Sequence, residues 1–155
     1  MLLQFLRHAD AEDFADSDFA RNLTSKGQAQ AKRVGGFIKK QGLKPDLILT
    51  SPLVRARQTA DIVGKEIGLT PSILECLACG MDLDTLLDEL RPHAQSKSIL
   101  VVGHEPDFSD AISNLLGMQD SFLMNVRKAS LTGIELLDGD DPQGVMHFSI
   151  PARLM

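Results

Sequence analysis

No apolar run in this chain approaches the ~20 residues needed to cross a bilayer. Nor is there an excess of positive charge: 16 Lys and Arg stand against 21 Asp and Glu, a formal net charge of −5. That balance excludes general nucleic-acid binding. There are only two cysteines, Cys76 and Cys79. Their Cys-x-x-Cys has no second pair with which to complete a four-ligand zinc site. It falls in an irregular stretch, Leu74 to Gly80, rather than at the helix start of a βαβ unit, so it reads as two semi-buried thiols and not as a redox motif. The opening residues Met1 to His8 carry no basic leader and meet charge early, which predicts no signal peptide and a cytoplasmic protein. Repeats and low-complexity tracts are absent. What remains is 155 residues, 43% hydrophobic and 24% charged, the profile of a single domain over 1–155 able to bury its own core.

The apolar residues are arranged in short, unbroken aliphatic runs. Residues 2–7, 47–50 and 98–102 read as strands buried on both faces of a parallel sheet. Thr24 is placed to cap a helix over 26–41, with Gly42 stopping it and Ala29, Val34, Phe37 and Ile38 as its apolar stripe. Ser51 and Pro52 form a helix-start signature, with Ser51 as N-cap, for a helix running to Ile67 before Gly68. A short extended piece is expected at 72–74 and a helix at 83–90, ended by Pro92. A further helix spans about 106–116, and two strands, 131–137 and 145–150, read as a hairpin joined through 138–144. The order predicts an α/β fold, a three-layer α/β/α domain with a mostly parallel sheet and a mixed edge.

Three strand ends carry the chemistry. Arg7-His8 follows the first strand, Ser51-Pro52 and Arg55 follow the second, and Gly103-His104 follows the strand at 98–102. Ligands of open α/β sheets bind outside the carboxyl ends of the strands, so these residues should converge on one pocket. An imidazole nucleophile with guanidinium forks around it is what metal-free phosphoryl transfer requires. Arg55 would sit in a first helical turn, where a cation opposes the macrodipole unless an anion binds there too. Arg57, on another helix face, reads as a surface charge. Gly103 would let the backbone approach a ligand closely. His93 and His147 lack such company and read as structural. The acidic segment from Asp10 to Asn22, with Phe14 and Phe19, is a candidate lid.

These residues match a known pattern. Leu6-Arg7-His8-Ala9-Asp10-Ala11 resembles the Arg-His-Gly signature of the histidine phosphatase superfamily, the phosphoglycerate mutase-like fold. Leu23-Thr24-Ser25-Lys26-Gly27 resembles its Leu-Thr-x-x-Gly helix start. The block from Ser51 to Ala60 resembles its Ser-Pro-x-x-Arg-Ala-x-Gln-Thr-Ala motif, and Gly103-His104 its second histidine motif. The compact length and the Arg21-x-Leu-Thr form are most similar to the SixA-type branch of small phosphohistidine phosphatases. Two departures stand out: Ala9 replaces the usual glycine, and the general acid of larger members has no clear counterpart, with Glu75, Glu105 and Asp10 as candidates.

The resemblance implies His8 as the phosphorylated nucleophile, with Arg7, Arg55 and His104 forming the phosphate pocket and Arg21 at its mouth. It implies no cofactor and no metal. The expected substrate is phosphohistidine on a protein such as a histidine-phosphotransfer domain or a phosphocarrier, because imidazole leaves phosphorus more easily than an alkoxide does. The alternatives are a small-molecule phosphomonoesterase, which needs one of the carboxylates as acid, and a phosphate-binding adaptor without turnover. No nucleic-acid or membrane partner is expected. Arg7 and Arg55 should lower the His8 pKa, while His104 should become protonated once phosphate arrives.

Overall fold

Among the described residues, six strands and four α-helices follow one another in the order β1 (Leu2–Arg7), α1 (Ser25–Gln41), β2 (Leu47–Thr50), α2 (Val54–Ile67), β3 (Ser72–Ile73), α3 (Leu83–Leu90), β4 (Ser98–Gly103), α4 (Asp107–Leu115), β5 (Leu131–Leu136) and β6 (Gly144–Ile150). This computed structural model describes every residue except Asp138, Asp140 and Asp141, and the side chain of Phe122. The strands form one sheet in the order β3-β2-β4-β1-β5-β6. Pairing from β3 to β1 is parallel, whereas β5 runs antiparallel to β1 and β6 antiparallel to β5. These three aspartates belong to the connection expected between the last two strands, which therefore lies partly outside the described residues.

Aliphatic residues on both faces of the central strands bury the sheet from two sides. Leu6, Ile48, Leu100 and Val102 pack beneath Val34 and Ile38 of α1 and Ala60 and Val63 of α2. Leu3, Phe5, Ile99 and Val101 pack on the other face against Leu86 of α3 and Phe108 and Ile112 of α4. The result is the three-layer α/β/α arrangement. Thr24 caps α1 by accepting the Gly27 amide, and Gly42 closes the helix at φ 69°, where a side chain would be strained.

The stripe of α1 differs from the expected one. Gly27, Ala31, Val34, Gly35 and Ile38 face the core, whereas Ala29 is exposed and Phe37 half-buried. Glycines at 27 and 35 let α1 lie close to its neighbours, against the Asp10 carbonyl and the Glu66 side chain respectively. That close approach turns the buried face toward residue 31.

Register decides where the site forms. Arg7 pairs with Gly103 and Leu6 with Val102, while Thr50 pairs with Val102. β1, β2 and β4 therefore end at one level. Ladder hydrogen bonds extend one residue beyond the strands, with the His8 amide donating to the Gly103 carbonyl at 2.9 Å and the Ser51 amide to the Val102 carbonyl at 2.9 Å. His8, Ser51 and His104 thus leave the sheet side by side.

Candidate active site

His8 lies 6% exposed at the end of β1, and its neighbours settle its tautomer. Nδ1 is 2.8 Å from the Ala9 carbonyl oxygen, which can only accept, so Nδ1 carries the proton. Arg55 Nε, which can only donate, is 3.2 Å from Nε2. Nε2 therefore holds the lone pair. Burial above all pushes the His8 pKa down to about 3, with the charges of His104, Arg55 and Arg7 adding to the effect and the Ala9 hydrogen bond opposing it. Desolvation, rather than the arginines expected from the sequence, is the larger cause of this depression.

His104 is 2% exposed, and its ring centroid lies 5.2 Å from that of His8. Its Nε2 is 2.7 Å from Ser51 Oγ, while Nδ1 is buried without a protein partner. Burial first, then the Arg55 charge, lowers its pKa to about 4. The expected N-cap role of Ser51 does not hold. Helix α2 begins at Val54, with Leu53 in the cap position and no side-chain cap bond. Ser51 Oγ accepts the Leu53 amide at 3.2 Å and spends its remaining capacity on His104. The serine orients the second imidazole.

Arg55 is 4% exposed and holds more than His8. Its Nη1 donates to the Asp18 carbonyl at 2.7 Å and its Nη2 to Asp18 Oδ2 at 3.0 Å. Arg21 donates from Nη1 to Asp18 Oδ1 at 3.0 Å and from Nε to the Glu12 carbonyl. Arg21 thus joins the site through Asp18 and contacts neither histidine. The loop that carries Asp18 is pinned at its base by an antiparallel bridge between Ala11 and Leu23 and by the Val54 amide donating to the Phe19 carbonyl. Thr59, one helical turn beyond Arg55, accepts the Ala9 amide at 3.1 Å and donates to the Arg55 carbonyl at 2.7 Å. It locks the backbone after His8 to α2. Arg57 is exposed.

Arg7 donates from Nη1 to the Val126 carbonyl at 2.9 Å, and its Nε is buried without a partner. Burial lowers its pKa while Glu105 opposes that shift.

The three candidate acids are placed differently. Asp10 binds Lys128 Nζ and the Thr24 hydroxyl, each at 2.8 Å, and the Lys128 bond leads in holding its pKa low. It fastens α1 to the loop before β5. Glu75 is exposed in a short 3₁₀ turn. Glu105 is half-buried, and both its carboxylate oxygens engage Ser109, one the amide and the other the hydroxyl. Burial pushes its pKa up. None of the three bonds to His8, His104 or Arg55 among the described residues.

Gly103 is required by packing, since a Cβ there would meet Phe108 Cζ at 2.7 Å. One further expectation is corrected. Cys79 is exposed rather than semi-buried; its Sγ lies 3.8 Å from Arg55 Nη2, and burial raises its pKa. Asp107, which no motif in the sequence marks, is 8% exposed and accepts the Gly80 amide at 2.9 Å. It ties the Cys79–Gly80 turn to α4. His93 is half-buried and His147 pairs with Glu135 at 2.8 Å, both apart from the site. No group of three or more metal-ligating side chains occurs among the described residues.

The sequence profile of the histidine phosphatase superfamily (branch 1) matches residues 3–78. An uncharacterized protein of Picosynechococcus is 37% identical over 139 residues, covering 86% of this chain and 84% of that one. The chain belongs to the histidine phosphatase superfamily. Its fold matches that of the protein histidine phosphatase SixA, solved with tungstate, at a TM-score of 0.88, 24% identity and coverage of 99% and 98% of the two chains. It also matches a mutant phosphoserine phosphatase of Entamoeba histolytica, solved with phosphoserine, at a TM-score of 0.78, 18% identity and coverage of 99% and 98%. At those identities the likeness is one of fold. This member of the superfamily carries Ala9 beside its first histidine without disruption: the methyl is fully buried in the core on the α1–α2 face of the sheet.

Proposed function

We propose that this histidine phosphatase removes phosphate from phosphohistidine on a protein, through a phosphohistidine at His8. The observation that carries the reading is the company of the reactive imidazole. Its Nε2 lone pair faces Arg55, while the carboxylate bonded to that arginine, Asp18, is held ionised, most strongly by Arg21. An ionised, doubly paired carboxylate has no proton to give a leaving group. A substrate whose leaving group is imidazole, with an ordinary pKa near ~6.5, needs no strong acid; an alkoxide does.

In the first step His8 Nε2 attacks phosphorus, and the bond from phosphorus to the substrate nitrogen breaks with its electron pair staying on that nitrogen; the substrate ring, protonated at its other nitrogen, leaves as neutral imidazole. Arg55 turns its donors from Nε2 and Asp18 onto the phosphoryl oxygens. Arg7 Nε and His104 Nδ1 are buried polar groups with hydrogen-bonding capacity unspent, and they complete the cradle, His104 taking up a proton as negative charge arrives. In the second step water attacks phosphorus, the bond to Nε2 breaks with its electrons returning to His8, and inorganic phosphate leaves. Catalysis is positioning and electrostatic stabilisation.

A second reading, a small-molecule phosphomonoesterase, draws on Glu105. Its pKa is raised by burial and it lies within electrostatic reach of Arg7, so its surroundings favour the protonated form more than water does. The test is kcat/KM for a phosphohistidine-bearing phosphocarrier against p-nitrophenyl phosphate, in EDTA, with His8→Ala as control. Preference for the protein supports the first reading. Efficient turnover of the ester, lost in Glu105→Gln, supports the second. Phosphate binding without turnover of either substrate would mark an adaptor.

A further inference from the structure

Beside the site lies a cavity of about 430 Å³ whose lining includes Arg7, Lys26, Arg127, Lys128 and Arg153, with Asp10 as its one acidic residue among the described residues. Asp10 pairs with Lys128, so the remaining cations are in excess. In a chain of formal charge −5 this concentration is local and opposite to the whole. It is also assembled from four separate parts of the fold: the end of β1, the first turn of α1, the loop before β5 and the 3₁₀ turn after β6. Lys26 stands in a first turn that holds no acidic residue, against the helix dipole, a conflict that a bound anion relieves. Arg7 lines this cavity and its charge also acts on His8, so the cavity and the reacting imidazole share one arginine. The acidic loop reaches His8 by another route, through Asp18 on Arg55. The surroundings of His8 are therefore polarised, negative through Arg55 and positive through Arg7.

We infer that this basic cavity receives acidic side chains flanking the phosphohistidine of a protein substrate, setting both the choice of partner and its orientation. The inference rests on the phosphohistidine reading above. A partner with acidic flanks is repelled by the chain as a whole and by the loop carrying Asp13, Asp16 and Asp18, and the cavity offers it the one favourable approach among the described surfaces at the site. Local charge complementarity of this kind acts mainly on the rate of productive encounter and falls with ionic strength.

The probes are synthetic peptides of equal length, each phosphorylated on a single histidine, with acidic, neutral or basic flanks, alongside free phosphohistidine and p-nitrophenyl phosphate. The wild-type enzyme should hydrolyse the acidic-flank peptide with a kcat/KM at least about tenfold above the neutral one at low salt, with the advantage shrinking at about 0.3 M NaCl. The double variant Arg127→Glu, Arg153→Glu changes exposed residues that touch neither histidine. It should abolish that advantage and leave kcat/KM for free phosphohistidine unchanged. Equal turnover of the three peptides, or an acidic preference that survives charge reversal, overturns the inference and leaves the phosphohistidine reading standing. Turnover of p-nitrophenyl phosphate alone overturns both.

Discussion

Asp18 Oδ2 lies 3.0 Å from Arg55 Nη2, so a carboxylate of the acidic loop occupies the guanidinium edge that a phosphoryl group needs. The two anions compete for one donor set. Asp18→Asn removes the charge and keeps the size, and it should tighten inhibition by inorganic phosphate. Asp18 is mostly exposed, so the gain is that of a solvent-screened ion pair, up to about fivefold. Inhibition constants for the two proteins check this. Weaker binding in the variant would mean that Asp18 orients Arg55 rather than competing for it.

His8 should titrate far below an ordinary histidine. With its pKa near 3, the imidazole remains neutral and nucleophilic throughout the range in which a solvent-exposed histidine becomes charged. Histidine ring NMR signals followed from pH 8 to 3 check this directly. The His8 ring should show no transition between about pH 7 and 5, with Nδ1 protonated and Nε2 bare. A midpoint near 6.5 would contradict the desolvation account.

The same depression makes the fold acid-sensitive. Both imidazoles sit below their ordinary value, His8 near 3 and His104 near 4. Between the ordinary pKa of ~6.5 and those folded values, the unfolded chain binds protons that the native chain does not. Their contribution to stability is complete above about pH 6.5 and drains away as pH falls through that window. Melting temperature should therefore drop from pH 7 to 4, and His8→Gln should flatten the drop. An equal slope in the variant would show that other groups govern acid unfolding.

Ser51→Ala should weaken catalysis by releasing His104. Loss of the hydroxyl leaves Nε2 of a buried imidazole unpaired beside a Nδ1 that already lacks a partner, a cost of about 1–3 kcal/mol. The expected signature is a fall in kcat larger than the rise in KM. A variant with wild-type kinetics would remove Ser51 from the site.

Gly103→Ala separates packing from ligand approach. The added methyl would press on the ring of Phe108, which is 1% exposed. Overpacking of this kind costs about 1–3 kcal/mol, measurable by urea denaturation. An unperturbed stability with reduced phosphate affinity would make ligand approach, rather than packing, the reason for the glycine.

Much of the site was legible because it is written at strand ends. Unbroken aliphatic runs mark central parallel strands, and the residue after each run must emerge at the same edge once the strands align. Arg7, His8, Arg55 and His104 were found that way. Asp18 was not. The loop carries Asp13, Asp16 and Asp18 without periodicity, and which of them folds back depends on the Arg21 contact and on the Phe19–Val54 hydrogen bond. Gly103 showed a need for close approach but not its partner, since Phe108 reaches it only after α4 has turned back over the sheet. Ser51 looked like a cap because Ser-Pro opens many helices; here the helix starts later and the hydroxyl turns to an imidazole 53 positions away. Thr59 carried a weaker signal, one helical turn from Arg55 and on its face. The basic cavity draws on residues from 7 to 153, a grouping that only the closed fold brings together.

The central claim is that His8 Nε2 becomes covalently phosphorylated, and quenched-flow labelling tests it most directly. The enzyme is mixed with a phosphohistidine peptide carrying radiolabelled phosphate, quenched in alkali and digested, and the label is mapped. The account predicts an acid-labile, alkali-stable label on the peptide containing His8, formed and lost at rates consistent with turnover and absent in His8→Ala. Turnover with no label on His8, or undiminished turnover by His8→Ala, would contradict it.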